Sequence, residues 1–430
     1  MTTQLRISRD WAIALGFGAL GLALRFWNLG NPKGKIFDEV YYATNAHSLL
    51  INGVELDAKT GDAEFIVHPP VGKWLIALGI KAFGYHEFGW RSAAAIAGSI
   101  SIVLMYFTAK KLFNNQLLSV FATFLISVDG LHLVHSRIAL LDIFLLLFIQ
   151  IAVLAFLHEK YWFSSIALGL AVATKWNGLY LLLALALLVL VLDKRKFRHR
   201  GFDRPFLEMI RKTFLLRFLQ FGVLPVITYV ASWAGWFATS GGWDRNWSTN
   251  PIKSLWHYHA EILNFHAKLT ESHPYSANPW SWLIQGRPTS FFYESPKSCG
   301  SSNCSQEVLA LGTPILWWAA TLALLVTFGY WVSKRDRQAE IILIVIAACY
   351  LPWFAFQKRT MFSFYAIAFE PFLLLALVYL LSKVFRNQKQ IAVAFGALVL
   401  LNFLYFLPLY LGTPISYNSW QDHMWLPSWI

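Results

Sequence analysis

Long apolar runs recur along the whole chain, and they constrain its fold more than any other feature. Leu179–Leu192 and Ile391–Leu401 are two of them. A stretch of about 20 apolar residues is long enough to cross a bilayer as a helix that satisfies its own backbone hydrogen bonds. Composition removes the soluble alternative. Of 430 residues, 57% are hydrophobic and only 14% charged, whereas soluble domains carry about 25% charged residues. So few charges cannot cover a water-facing surface of that size. Twenty Trp and 17 Tyr suit the headgroup layer, where amphipathic rings sit well.

The sequence predicts an all-α integral membrane protein with about eleven transmembrane helices. They fall near 11–29, 92–112, 116–131, 138–157, 162–174, 177–192, 216–238, 312–332, 340–357, 361–381 and 391–411. The first run follows Arg6 and Arg9 and lacks a small-residue cleavage site. It reads as a retained span, not a signal peptide.

The charges orient these spans. With the N-terminus in the cytoplasm, the inner segments hold 20 of the 36 basic residues, nine of them between Lys194 and Arg217. They hold 7 of the 23 acidic ones, so the whole net charge of +13 falls inside. Basic excess in short cytoplasmic loops sets orientation. The same dispersal among short loops argues against nucleic acid, which wants the charge on one soluble face. The C-terminal tail then lies outside.

Residues 1–430 read as a single transmembrane domain with two long outer segments, 30–91 and 240–311. Cys299 and Cys304 lie in the second, where the compartment permits a disulfide. Two free thiols remain the alternative, and Cys349, inside a span, reads as packing. No His/Asp cluster with ligand spacing demands a metal.

Several residues on the outer side are candidates for chemistry. Asp38 and Glu39, in Ile36-Phe37-Asp38-Glu39-Val40-Tyr41-Tyr42, offer a general base at the membrane surface. Acidic residues favoured at a helix N-terminus explain them equally well. His68, in Val67-His68-Pro69-Pro70-Val71-Gly72-Lys73, is positioned by two prolines that force an extended turn. A lone His is more often structural. Arg91, Arg137, Lys175 and Arg359 sit at outer span ends, against the charge pattern. Snorkelling to the headgroups accounts for such cations; convergence on an anionic ligand is the functional reading. Asp142, one turn beyond Arg137, reads as a partner for that arginine rather than a catalyst. The run from Ser272 to Arg287 holds His273, Tyr275, Asn278 and Trp280 among prolines, a shaped loop for a sugar or peptide, or one resting on headgroups. A carboxylate and several cations beside apolar spans suit transfer from a lipid-linked phosphate donor.

The chain resembles the bacterial protein O-mannosyltransferases, the polyprenol-phosphate-mannose–protein mannosyltransferase family. The motifs are Phe37-Asp38-Glu39 with Tyr41-Tyr42, His68-Pro69-Pro70-Val71-Gly72-Lys73, Trp90-Arg91, Ser136-Arg137-Ile138-Ala139-Leu140-Leu141-Asp142, Thr174-Lys175-Trp176-Asn177-Gly178-Leu179, and His273-Pro274-Tyr275 with Asn278-Pro279-Trp280. They follow in family order over more than half of the chain. The resemblance implies a C-type glycosyltransferase fold in the plasma (inner) membrane, with the active site on the outer face. It implies inverting transfer of mannose from polyprenyl-phosphate-mannose to Ser or Thr hydroxyls of secreted or membrane proteins. Asp38 is then the base and Glu39 its motif neighbour. Arg91 and Lys175 match donor-phosphate positions, to which Arg137, His68 and Arg359 are added. His273, Tyr275, Asn278 and Trp280 would face the acceptor. Acceptors must be unfolded as they emerge, which admits the protein secretion channel as a partner. A divalent-metal requirement stays open. Eukaryotic members carry a β-trefoil in the second long loop; 240–311 has no room for one.

Two rivals remain. A transporter would show internal repeats and a site near the midplane; neither is visible. A related lipid-phosphate-sugar transferase acting on lipid A or a cell-wall glycan would keep the carboxylate and cations but change the acceptor-facing loop.

Overall fold

A computed structural model describes residues 8–384 and 388–430. Arg6 and Arg386, counted above among the inner cations, lie outside the described residues. In chain order, α1 (Arg9–Phe26) is followed in the 30–91 segment by α2 (Glu39–Asn52) and α3 (Val71–Phe83). Then come α4 (Glu87–Phe113), α5 (Gln116–Ser127), the short α6 (Gly130–His135), α7 (Asp142–Leu157), α8 (Tyr161–Val172) and α9 (Gly178–His199). The second half holds α10 (Pro205–Ala231), α11 (Pro251–Lys268), α12 (Pro314–Lys334), α13 (Arg337–Tyr350), α14 (Glu370–Val384) and α15 (Lys389–Leu411), besides shorter turns.

Each of the eleven apolar segments contains a helix. Among the described residues, five are long and apolar enough to cross a membrane: α4, α10, α12, Arg337–Phe356 and α15. The centre is built by α7 and α14, which are apolar on nearly every side and almost wholly buried. A helix apolar all round belongs inside a bundle. α7 packs on α4 and α8, and α14 on α12 and α13. On the periphery, large apolar side chains such as Leu187, Leu215, Leu325 and Leu401 are exposed. That suits a lipid solvent.

Three expectations need correction. The chain is not purely α: β1 (Thr289–Glu294), β2 (Cys304–Ala310) and β3 (Ile415–Ser416) form a small antiparallel sheet in the order β1-β2-β3. Thr-Ser-Phe-Phe-Tyr favours a strand, and a Cys299–Cys304 disulfide closes the hairpin. The segment expected to be helical over 361–381 is helical only from Glu370, after a 3-10 turn at Ser363–Ala368. Pro371 lacks the N–H that a continuous helix would bond to Ile367, so the helix has to restart there. The segment expected from 216 begins earlier, at Pro205.

Candidate active site

Asp38 and Glu39 stand at the start of α2, and adjacent side chains on a helix diverge by about 100°. The chain reaches them through Phe37, whose φ of 47° lies in the left-handed region that bulky residues rarely enter. Its ring is held among Phe291, Phe362 and Phe364, at centroid distances of 4.6, 6.0 and 5.7 Å. The two carboxylates therefore enter different surroundings.

Glu39 goes inward and is fully buried. Arg91 grips it with two parallel bonds, both 2.8 Å. The backbone N–H groups of Ile36 and Ala139 donate to the same carboxylate at 3.1 and 3.0 Å. The remaining Arg91 donors go to the carbonyls of Leu29, Pro32 and Gly34 at 3.2, 2.8 and 3.1 Å. A buried pair with every donor and acceptor engaged is a clamp. It ties the end of α1, the start of α2 and the loop before α7 into one block. Arg137 serves the same block. It donates to the carbonyls of Leu24, Arg25, Trp27 and Asn28 at 3.3, 2.8, 2.6 and 3.2 Å. The first two are carbonyls of the last turn of α1, where a cation is favoured, and the other two follow it directly.

Asp38 faces the other way. Its half-buried carboxyl is pushed up to about 6 by burial. The nearby Lys175 charge and the Tyr42 hydroxyl pull it down, while Asp142 pushes it further up. Lys175 is bonded to both Asp142 oxygens at 2.9 and 3.0 Å and lies 4.3 Å from the centre of the Tyr365 ring. Asp142 opens α7 and, contrary to the pairing expected with Arg137, takes Lys175, between α8 and α9, as its partner.

The His68-Pro69-Pro70 turn docks on that Lys175 loop: Val71 N–H donates to the Ala173 carbonyl at 3.1 Å. Gly72 permits the approach, since a Cβ there would meet Leu141 at 2.7 Å and Thr174 at 3.2 Å. Lys73 turns away to Glu55 at 2.6 Å. His68 lies between Tyr42 and His266, at ring distances of 6.2 and 5.2 Å. Burial, then the charges of Lys175 and its neighbours, hold it well below the usual histidine range, so it is neutral.

Arg359 approaches from the late loop and donates from Nη2 to His266 Nδ1 at 3.1 Å. Its Nε is buried and has no partner among the described residues. Of the four cations singled out in the sequence, Arg91 and Arg137 are spent on the scaffold, Lys175 is paired, and Arg359 retains an unengaged donor.

The loop named for the acceptor is stapled beside this cluster. Ala277 N–H donates to the Met361 carbonyl at 2.8 Å, and Arg287 bonds the Pro274 carbonyl and lies over the Tyr275 ring. His273 accepts from Tyr275 N–H at 3.1 Å and packs on Phe362, which also touches Phe37. One aromatic layer thus separates His273 from the Asp38 corner. Asn278 and Trp280 are exposed and do not join the cluster. Among the described residues, no group of three or more His, Cys, Asp or Glu side chains stands close enough to hold a metal ion. A cavity of about 860 Å³ lined by Phe17, Phe121, Lys383 and Lys389 includes none of the site residues.

The sequence reading missed His266, Trp176 as a neighbour of His266, and Tyr365. Tyr42 carried one signal, its place one turn after Asp38. His266 carried none: it is one of several histidines on α11.

Two family models match the chain. Residues 67–207 match the dolichyl-phosphate-mannose-protein mannosyltransferase model, and residues 251–429 the C-terminal four-transmembrane region of protein O-mannosyltransferase. Among solved structures, the yeast (Saccharomyces cerevisiae) protein O-mannosyltransferase Pmt1-Pmt2 complex bound to the sugar donor superposes with a TM-score of 0.80. That match covers 99% of this chain and 93% of that one at 15% identity. ArnT from Cupriavidus metallidurans, bound to undecaprenyl phosphate, superposes with a TM-score of 0.59 at 16% identity, over 91% of this chain and 64% of that one. These likenesses are of fold, the mostly helical C-type glycosyltransferase fold. In sequence, the chain is 32% identical to the polyprenol-phosphate-mannose–protein mannosyltransferase of Mycobacterium tuberculosis, over 98% of this chain and 92% of that protein. It is 34% identical to the enzyme of the same name from Mycolicibacterium smegmatis, over 98% of this chain and 93% of that one. At that identity over nearly its whole length, the chain belongs to the polyprenol-phosphate-mannose–protein mannosyltransferase family.

Proposed function

We propose that the chain transfers mannose from polyprenyl-phosphate-mannose to Ser and Thr hydroxyls of exported proteins, with Asp38 as the general base. The observation that carries this reading is the Asp38 carboxyl. It is raised to about 6, makes no ion pair among the described residues and feels the nearby charge of Lys175, which is itself paired with Asp142. A base in that range is still ionised at neutral pH and is stronger than an ordinary carboxylate.

The acceptor Oγ attacks the anomeric carbon from the face opposite the phosphate. The Oγ–C1 bond forms as the C1–O bond to phosphate breaks, which inverts the carbon. The Oγ proton passes to Asp38, and the bonding pair leaves with polyprenyl phosphate. Arg359, with its unengaged donor, faces the phosphate as it gains charge, and Lys175 adds its field from beside Asp142. Glu39, Arg91 and Arg137 hold the loop that carries Asp38. His68, neutral, offers the donor a hydrogen bond without adding charge. His273 and Tyr275 line the approach of the acceptor, with Asn278 and Trp280 at its outer rim.

All 430 residues act as one transmembrane unit with eleven crossings, 30–91 and 240–311 lying on the outer face of the plasma membrane. The basic excess at the opposite span ends supports this orientation. The secretion channel would supply acceptors before they fold.

Membranes given polyprenyl-phosphate-linked radiolabelled mannose and a Ser/Thr-rich peptide should label the peptide with the wild type and not with Asp38→Asn. Label on lipid or glycan instead of peptide would move the reading to the lipid- or polymer-modifying relatives.

A further inference from the structure

Helix α11 presents two histidines seven residues apart, His259 and His266, toward the loops that carry the site. Each ring is engaged at both nitrogens. His259 Nδ1 donates to the Leu255 carbonyl at 2.7 Å, and its Nε2 meets the Tyr229 hydroxyl at 2.7 Å. That hydroxyl in turn accepts from Trp176 Nε1 at 2.9 Å. His266 Nε2 reaches the Val67 carbonyl at 2.9 Å, and its Nδ1 faces Arg359 Nη2 at 3.1 Å. A carbonyl only accepts and a guanidinium only donates, so His266 has one consistent form, neutral with the proton on Nε2. Burial and the adjacent Arg359 charge, holding it down to about 4, agree with that form.

We infer that His266 is a positioning residue for donor binding: it fixes the Arg359 guanidinium against the His68 turn so that the remaining Arg359 donors meet the donor phosphate. Arg359 sits in an irregular loop after the 3-10 turn Leu351–Phe356, with no carboxylate partner among the described residues. An unheld arginine would spend donor affinity on ordering its own side chain. His266 joins Arg359 to the residue before His68, so one ring fixes two of the groups assigned to the phosphate. The inference rests on Arg359 being the phosphate ligand, as proposed above.

The test is a double-mutant cycle in the full-length enzyme, reading kcat and the KM for polyprenyl-phosphate-mannose. Arg359→Ala should raise the donor KM by about tenfold or more, the worth of a charge-assisted hydrogen bond. His266→Ala should raise it about tenfold, with kcat held within about threefold. In the Arg359→Ala background, His266→Ala should add nothing, because its effect runs through the missing side chain. Multiplying effects, or a donor KM untouched by His266→Ala while Arg359→Ala raises it, would overturn the positioning role alone. A donor KM untouched by Arg359→Ala would remove Arg359 as the ligand and the inference with it. Should His266→Ala fail to fold, the pair His266→Asn and His266→Gln decides. Asn keeps an acceptor near Nδ1 and should retain donor affinity, whereas Gln keeps only a donor near Nε2 and should not. Equal KM values for the two would overturn the assignment.

Discussion

Two neighbouring regions of this protein use the same residue types to opposite ends. Around Glu39, Arg91 and Arg137, charges are buried deeply: the Glu39 carboxylate and every Arg91 donor are spent on partners within the chain, and Arg137 is bonded to carbonyls at the end of α1. Around Asp38, Lys175, His68 and Arg359, Lys175 is buried but Asp38 and Arg359 are half-buried, the Asp38 carboxyl is raised to about 6, and an arginine donor has no partner among the described residues. Saturation makes a scaffold; incompleteness leaves bonding capacity for a ligand. Adjacent carboxylates in one motif fall on opposite sides of this divide because a helix start points them apart.

The sharpest way to break this contrast is Asp38→Asn. It should cost transfer about 10²–10⁴-fold, the usual worth of a positioned base. Donor binding, measured by retention of labelled polyprenyl-phosphate-mannose, should stay near wild type. Loss of donor binding would mean that Asp38 belongs with the scaffold. Arg91→Ala tests the other side. It strands a buried Glu39 and should destabilise the protein by about 3–5 kcal/mol, seen as a lower melting temperature in detergent. An unchanged melting temperature with a raised donor KM would instead make Arg91 a phosphate ligand and erase the distinction.

The pH profile sharpens it. Asp38 must be ionised to accept the hydroxyl proton. With its carboxyl at about 6, kcat/KM should be flat at neutral pH and fall about tenfold per unit below 6. A profile flat down to pH 4.5 would remove Asp38 as the base. The smallest effect belongs to the disulfide at the hairpin tip. Replacing Cys299 and Cys304 with serine opens only a short loop and should cost at most about 2 kcal/mol. Transfer at 25 °C should be unchanged, and a large loss would tie the tip to the acceptor.

Much of the architecture was legible in the chain. Apolar runs located a helix in all eleven segments, because a bilayer leaves a polar backbone few other options. The misreadings were local. Pro371 interrupts an apolar run that composition alone would continue, and the hairpin of β1 and β2 lies in a loop whose pairing joins residues far apart in sequence. The motifs brought Asp38, His68 and Lys175 into view and the charge pattern brought Arg359, yet the same signals brought Arg91 and Arg137 with equal force. A cation at a span end looks the same in sequence whether it binds a phosphate or a helix terminus.

What the sequence by itself determined, then, is a multi-helix membrane chain, its family and the short set of polar residues within which the chemistry must lie. Hydropathy and motif spacing are local properties of a chain. Only the tertiary structure decided which of those residues are free to react. Saturation of a donor or acceptor depends on partners such as Glu39 for Arg91, the end of α1 for Arg137 and His266 for Arg359. Those partners lie dozens of residues away, and only folding brings them within hydrogen-bond distance.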